Sequence, residues 1–175
     1  MKTNSFIRKI VYTSLFAALT LVATITVQIP ISATNGYINI GDCVVIINGI
    51  LLGPLYGGIA SGLGSFFADA LYGYWIYAPA TFIIKMLMSV AVYYIYKSLS
   101  KSDNSYKIIH LTICGIISET TMILGYFIYE FVIFSFSAAI VGVVSNMIQG
   151  IANLVLSLVI IKFMHKTKIA EMINI

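Results

Sequence analysis

The sequence predicts an all-α integral membrane protein: a single domain, residues 1–175, folded as a bundle of six transmembrane helices with both termini in the cytoplasm. Three observations predict it. The chain of 175 residues is 60% hydrophobic and only 9% charged, with a mean hydropathy of +1.00. It therefore cannot supply the charged exterior that a soluble domain needs. Apolar runs recur along the whole chain, and all three prolines (Pro30, Pro54, Pro79) fall at their edges. Nine of the ten Lys and Arg lie in three places: Lys2, Arg8 and Lys9; Lys97, Lys101 and Lys107; Lys162, Lys166 and Lys168. Six spans put all three clusters on one side, and the loops after spans 1, 3 and 5 carry no Lys or Arg. That is the positive-inside pattern. It is not a nucleic-acid footprint, because no basic run is interleaved with aromatics.

Span 1 is expected over about Ile7 to Val27. The apolar run Ile10 to Ile29 exceeds the ~7–15 residues of a signal-peptide core, so it reads as a retained span. Residues Pro30 to Asn39 form an uncharged, turn-rich loop with Asn35-Gly36 as the turn signal. Span 2 begins near Ile40 with Asn39 as its N-cap and Asp42 at the positive end of the helix dipole. It stops at Gly53-Pro54, leaving about 14 residues or ~21 Å, short of a ~30 Å hydrocarbon core. Span 3, about Tyr56 to Tyr72, carries small residues at four-residue spacing (Gly57, Ser61, Ser65; Gly58, Gly62) that let helix backbones approach closely. A loop with Tyr74, Trp75 and Tyr77 has the profile of an interfacial aromatic belt. Pro79 opens span 4, which runs to about Tyr96, and a basic loop, Ser98 to Tyr106, follows. Span 5 covers about Lys107 to Ile128 and span 6 about Ala138 to Met164.

The polar residues inside these spans need a reason, because charge at mid-bilayer costs roughly 2.5 kcal/mol or more per residue. On span 6, Gly142, Asn146, Gln149, Asn153 and Ser157 share one helical face. Asn146 and Gln149 are candidates for ligand contact; for Asn153 and Ser157 helix packing is the expected role. On span 5, Glu119, Tyr126 and Glu130 share a face. A carboxylate at the depth of Glu119 needs a polar partner or a proton. The span 6 amides, Lys85 or a bound substrate are the candidates. Asp69 and Lys85 flank the loop between spans 3 and 4 at similar depth, so a structural ion pair is expected, with Lys85 also able to face a ligand. For Asp42, capping and ligand contact are both open. His110 and His165 fall at the cytoplasmic edge and read as interfacial.

No nucleophile–base constellation, HExxH, Walker motif or phosphate-cradling GxGxxG is present. Neither an enzyme nor a cofactor is expected. The two cysteines, Cys43 and Cys114, are far apart without ligand-like neighbours, so no metal site is expected. Aromatic walls with a few placed polar groups describe a small-molecule site. The expected substrate-binding set is Glu119, Asn146, Gln149, Tyr126, Glu130, Lys85, Asn39, Asp42, Tyr77 and Trp75, with the uncharged loops over it as a lid. A stand-alone transporter driven by protons through Glu119 is the alternative. An intramembrane enzyme or assembly subunit is the third reading.

The segments GYINIGD, GPLYGGIASGLGS, APATFIIK, GYFIYE and NMIQG, together with the length and span count, resemble the substrate-binding S components of energy-coupling-factor (ECF) vitamin transporters. The likeness is greatest to the branch around riboflavin-, hydroxymethylpyrimidine- and vitamin B6-type S components. The resemblance implies a six-helix bundle that captures a vitamin or precursor on the outer side. It implies partnership with a membrane scaffold subunit and two cytoplasmic ATPases, and tipping of the bundle during uptake. The family's small residues on span 1, which contact the scaffold, correspond here to Ser14 and Ala18.

Overall fold

The structure, a computed structural model, describes residues 2–31, 36–100 and 108–167. The elements in order are α1 (Lys2–Thr26), β1 (Gln28–Ile31), β2 (Gly36–Asn39), α2 (Asp42–Leu71), α3 (Ala78–Ser100), α4 (Ile108–Ile133) and α5 (Phe136–Lys166). Among the described residues, five helices are long and apolar enough to cross a membrane. Their outward faces are apolar along their length, for example Val11, Leu15, Leu19 and Val22 on α1 and Ile148, Ile151, Val155 and Val159 on α5. Exposed apolar surface on that scale is a lipid-facing surface.

The expected spans 2 and 3 both lie in α2, whose backbone leaves helical geometry at Gly53 (φ 79°, ψ −176°). That conformation is open essentially to glycine alone. Pro54, which lacks an N–H and has a preset φ, then starts the second arm. The arms fold back on each other. Asn48 Nδ2 donates to Ser61 Oγ at 3.0 Å, whereas 13 residues of straight helix would separate them by ~20 Å. A Cβ on Gly57 would collide with the Asn48 carbonyl. The neighbouring α3 records the same reversal. Its Phe82 and Met86 lie against Gly62 and Gly58 of the second arm, while Val92 lies against Gly49 of the first. Asn48 also donates to Thr20 Oγ1 at 3.0 Å, tying α1 to both arms.

The chain between α1 and α2 is not the featureless loop expected. Residues Gln28–Ile31 and Gly36–Asn39 pair antiparallel, with Gln28 opposite Asn39 and Ile31 opposite Gly36. Asn35, half of the expected turn, lies outside the described residues. Two further boundaries move. Helix α2 starts at Asp42, and its N-cap is Gly41 rather than Asn39. Asn39 belongs to β2, and its Oδ1 accepts from the Gly41 N–H at 2.8 Å. Ser98 to Ser100 complete α3, and the rest of the expected basic loop lies outside the described residues.

The bundle has two unlike ends. The end bearing the β-hairpin also holds the 72–77 loop and the α4–α5 connection. At the opposite end α1 begins, α2 reverses, and α3 and α5 finish, so Arg8, Lys9, Lys97, Lys162 and Lys166 gather there. Toward that end lies the main apolar core, which includes Phe16, Ile46, Ile47, Leu51, Leu52, Val92, Leu111 and Ile161. A smaller cluster, Val45, Ile84, Met88 and Met122, separates it from the polar interior beneath the hairpin.

Candidate ligand-binding site

Beneath the hairpin is a cavity of about 40 Å³ lined from every side of the bundle. The hairpin supplies Ile31, Gly36, Tyr37 and Asn39; α2 supplies Ser65 and Asp69; the following loop and α3 supply Tyr74, Tyr77, Thr81 and Lys85. Tyr126 and Glu130 come from α4, and Gly142, Asn146 and Gln149 from α5, with Thr24 at the end of α1.

Local chemistry explains how these groups are held. Helix α2 ends in a Schellman arrangement: Tyr74 N–H donates to the Asp69 carbonyl at 2.8 Å and Gly73 N–H to Ala70 at 3.4 Å. Gly73 takes the required positive φ of 84°. This swings Tyr74 across the helix end, where its ring meets Tyr37 of the hairpin at 4.7 Å. The Tyr37 hydroxyl donates to Asp69 Oδ1 at 2.5 Å. Burial, reinforced by the Asp69 charge, pushes the Tyr37 hydroxyl up, so it remains a donor. Tyr77 donates to Glu130 Oε1 at 3.2 Å, and Thr81 and Tyr126 share a hydrogen bond of 3.0 Å.

The hairpin is pinned from α5. Gln149 Oε1 accepts from the Asn39 backbone N–H at 2.8 Å, and Asn153 Nδ2 donates to the Asn39 carbonyl at 2.8 Å. Asn153 Oδ1 also accepts from Cys43 N–H at 3.0 Å. Behind the cavity wall Lys85 forms a fully buried ion pair with Asp42, and Gln149 Nε2 donates to the other Asp42 oxygen at 2.6 Å. The expected Asp69–Lys85 pair is therefore corrected: Lys85 binds Asp42, and Asp69 receives Tyr37. Asp42 opens α2 in sequence, but the fold-back of α2 against α3 is what brings it to Lys85.

Seven of the ten expected substrate-binding residues line this cavity: Asn39, Tyr77, Lys85, Tyr126, Glu130, Asn146 and Gln149. Three do not. Asp42 sits one layer behind, holding Lys85 and Gln149. Trp75 is 65% exposed on the loop. Glu119 faces a separate groove on the α4–α5 seam with Ile116, Ile123, Met147 and Gly150. Its two carboxylate oxygens have no hydrogen-bond partner among the described residues, so the amides of α5 are not its partners. Ser157, expected in packing, bonds its own helix at Leu154. Sequence reading missed Tyr37, Asp69, Thr81, Ser65 and Thr24 as cavity residues. The signal for Asp69 was its charge within an apolar span; nothing marked Tyr37.

The fold and site together define a multi-pass membrane protein that encloses a polar, aromatic-walled cavity under a β-hairpin. The family model described as ECF-type riboflavin transporter, S component, matches residues 4–166, and the chain belongs to this family. That family is a transporter's substrate-binding component and not an enzyme. A curated Pyrococcus woesei protein, described as an uncharacterized protein in a gap 3′ region, is 34% identical over 136 residues, covering 77% of this chain and 86% of its own length.

Proposed function

We propose that this chain captures a water-soluble vitamin or vitamin precursor of the riboflavin, hydroxymethylpyrimidine or vitamin B6 type outside the cell. It passes the ligand inward with a membrane scaffold subunit and two cytoplasmic ATPases. The observation that carries this reading is a pair of buried carboxylate oxygens on the cavity, Asp69 Oδ2 and Glu130 Oε2, that have no hydrogen-bond partner among the described residues. Buried acceptors are normally satisfied, and a ligand bearing donors satisfies these. The cavity of about 40 Å³ matches only a few waters at ~10–15 Å³ each. A vitamin therefore enters only when the hairpin swings away, and Tyr37 and Gln149 hold it shut.

In this reading the two arms of α2 count separately. The bundle then has six spans, both termini are cytoplasmic, and the basic end of the bundle faces the cytoplasm. Ser14 and Ala18 lie exposed on α1, where they offer a small-residue surface to the scaffold. Native mass spectrometry of the purified protein tests the reading: a stoichiometric vitamin-sized ligand supports it. Glu130→Ala and Asn146→Ala are each expected to weaken that ligand tenfold or more; unchanged affinity in both removes the site. Ala18→Trp is expected to block co-purification with the scaffold while leaving ligand affinity intact.

One observation favours a second reading, a stand-alone proton-coupled transporter: Glu119 is buried with neither oxygen bonded among the described residues. Uptake by vesicles carrying this chain alone, collapsing with the proton gradient, establishes it instead.

A further inference from the structure

The charges around the cavity do not balance. Asp69 and Glu130 line it at 3% and 4% exposure. One oxygen of each receives a tyrosine hydroxyl, from Tyr37 or Tyr77, which supplies a hydrogen bond but no charge. The other oxygens, Oδ2 and Oε2, have no hydrogen-bond partner among the described residues. They project from two different helices, α2 and α4. The lone cation among the lining residues, Lys85, is already engaged by Asp42. Two lining carboxylates, Asp69 and Glu130, are thus left without a cation of their own. The walls also carry the rings of Tyr37, Tyr74 and Tyr77, and tyrosine π faces attract positive charge; the Tyr126 ring already lies under the Lys85 ammonium.

We propose that the substrate taken by this cavity is a cation: a small nitrogen heterocycle carrying an amine or a quaternised ring nitrogen, placed between Asp69 Oδ2 and Glu130 Oε2. The proposal rests on the substrate-binding reading above and specifies its ligand. Charge-assisted hydrogen bonds are about twice as strong as neutral ones, and buried carboxylates without a counter-charge are costly. A neutral polyol satisfies the acceptors but leaves the charge uncompensated, and an anion is repelled.

The test is calorimetric titration of the full chain in nanodiscs with four probes. Pyridoxamine and pyridoxine share a ring and differ in an aminomethyl for a hydroxymethyl group; thiamine is permanently cationic; riboflavin is neutral. At least one cation is expected to bind tenfold or more tighter than both neutral probes. Asp69→Asn and Glu130→Gln are each expected to lower that affinity about tenfold, the cost of a lost charge-assisted bond, with weak binding of the neutral probes unmoved. Pyridoxine or riboflavin binding as tightly as the cations overturns the proposal, as does absence of binding by both cations. The cation-to-neutral ratio of the unmodified chain decides the matter even where a variant fails to fold. Co-purification with the scaffold is scored separately: a chain that assembles, or binds only a neutral vitamin, keeps the S-component role and loses the cationic ligand.

Discussion

The two ends of this bundle balance packing and polar bonding differently. Toward the end where α2 reverses, Ile46, Leu51, Leu52, Val92, Leu111 and Ile161 form the main apolar core, with Asn48 tied to Thr20 and Ser61 beside it. Under the hairpin, burial is achieved by cross-linking polar groups: Asp42 to Lys85 and Gln149, Gln149 and Asn153 to Asn39, Tyr37 to Asp69. A deletion in the packed core leaves a cavity that its neighbours fill only in part. A deletion in the polar network instead strands a buried partner, and the cost is greatest where that partner is charged. The contrast teaches that one bundle can be apolar at one end and polar beneath its hairpin, where the cavity lies.

Asp42→Ala breaks the contrast most severely. It leaves the Lys85 ammonium buried without a counter-charge, and removing one partner of such a pair costs about 3–5 kcal/mol. Denaturation in detergent should show this, whereas the double change Asp42→Leu with Lys85→Met is expected to recover much of the stability without recovering ligand binding. Ile46→Ala, at a position with 0% exposure in the apolar core, is expected to cost about 2–4 kcal/mol and to leave ligand affinity within a factor of two. Equal loss of affinity would mean the two ends are not independent. Gln149→Ala removes bonds to both Asp42 and the Asn39 backbone. A cost of about 1–3 kcal/mol should appear with faster amide hydrogen exchange across Gly36–Asn39. Tyr37→Phe is the mildest, about 1 kcal/mol, and its sharper readout is a faster ligand off-rate as the hairpin opens more often.

Much of this arrangement is legible in the sequence, and the exceptions have physical causes. The long helices announce themselves because lipid demands unbroken apolar runs with internally satisfied backbones, and the break at Gly53-Pro54 is visible as glycine followed by proline. The strands are not legible. Each is four residues long, one contains Pro30, and what holds them is Gln149 and Asn153, more than 100 residues away. The face shared by Asn146 and Gln149 is correctly read as one side of a helix, and it does meet the cavity. The shared face of Glu119 and Glu130 misleads, because facing is only one coordinate. Eleven residues of helix separate them by ~16 Å. Met122, fully buried between the two levels, closes off the lower one. Depth counting likewise pairs Lys85 with Asp69 but cannot show that the first arm of α2 carries Asp42 to the same level.

The reversal at Gly53 also bears on how the chain is made. The first arm, residues 42–52, is ~16 Å long, too short to settle across a bilayer by itself. In the proposed six-span topology it enters together with residues 54–71 as one hairpin, joined by Asn48 and Ser61. Replacing Gly53 with leucine strains the reversal, because leucine must then adopt the positive φ of 79°. In the proposed six-span topology, a chain that fails to reverse carries everything after α2 to the opposite side, and a reporter placed after Ser100 would be found there.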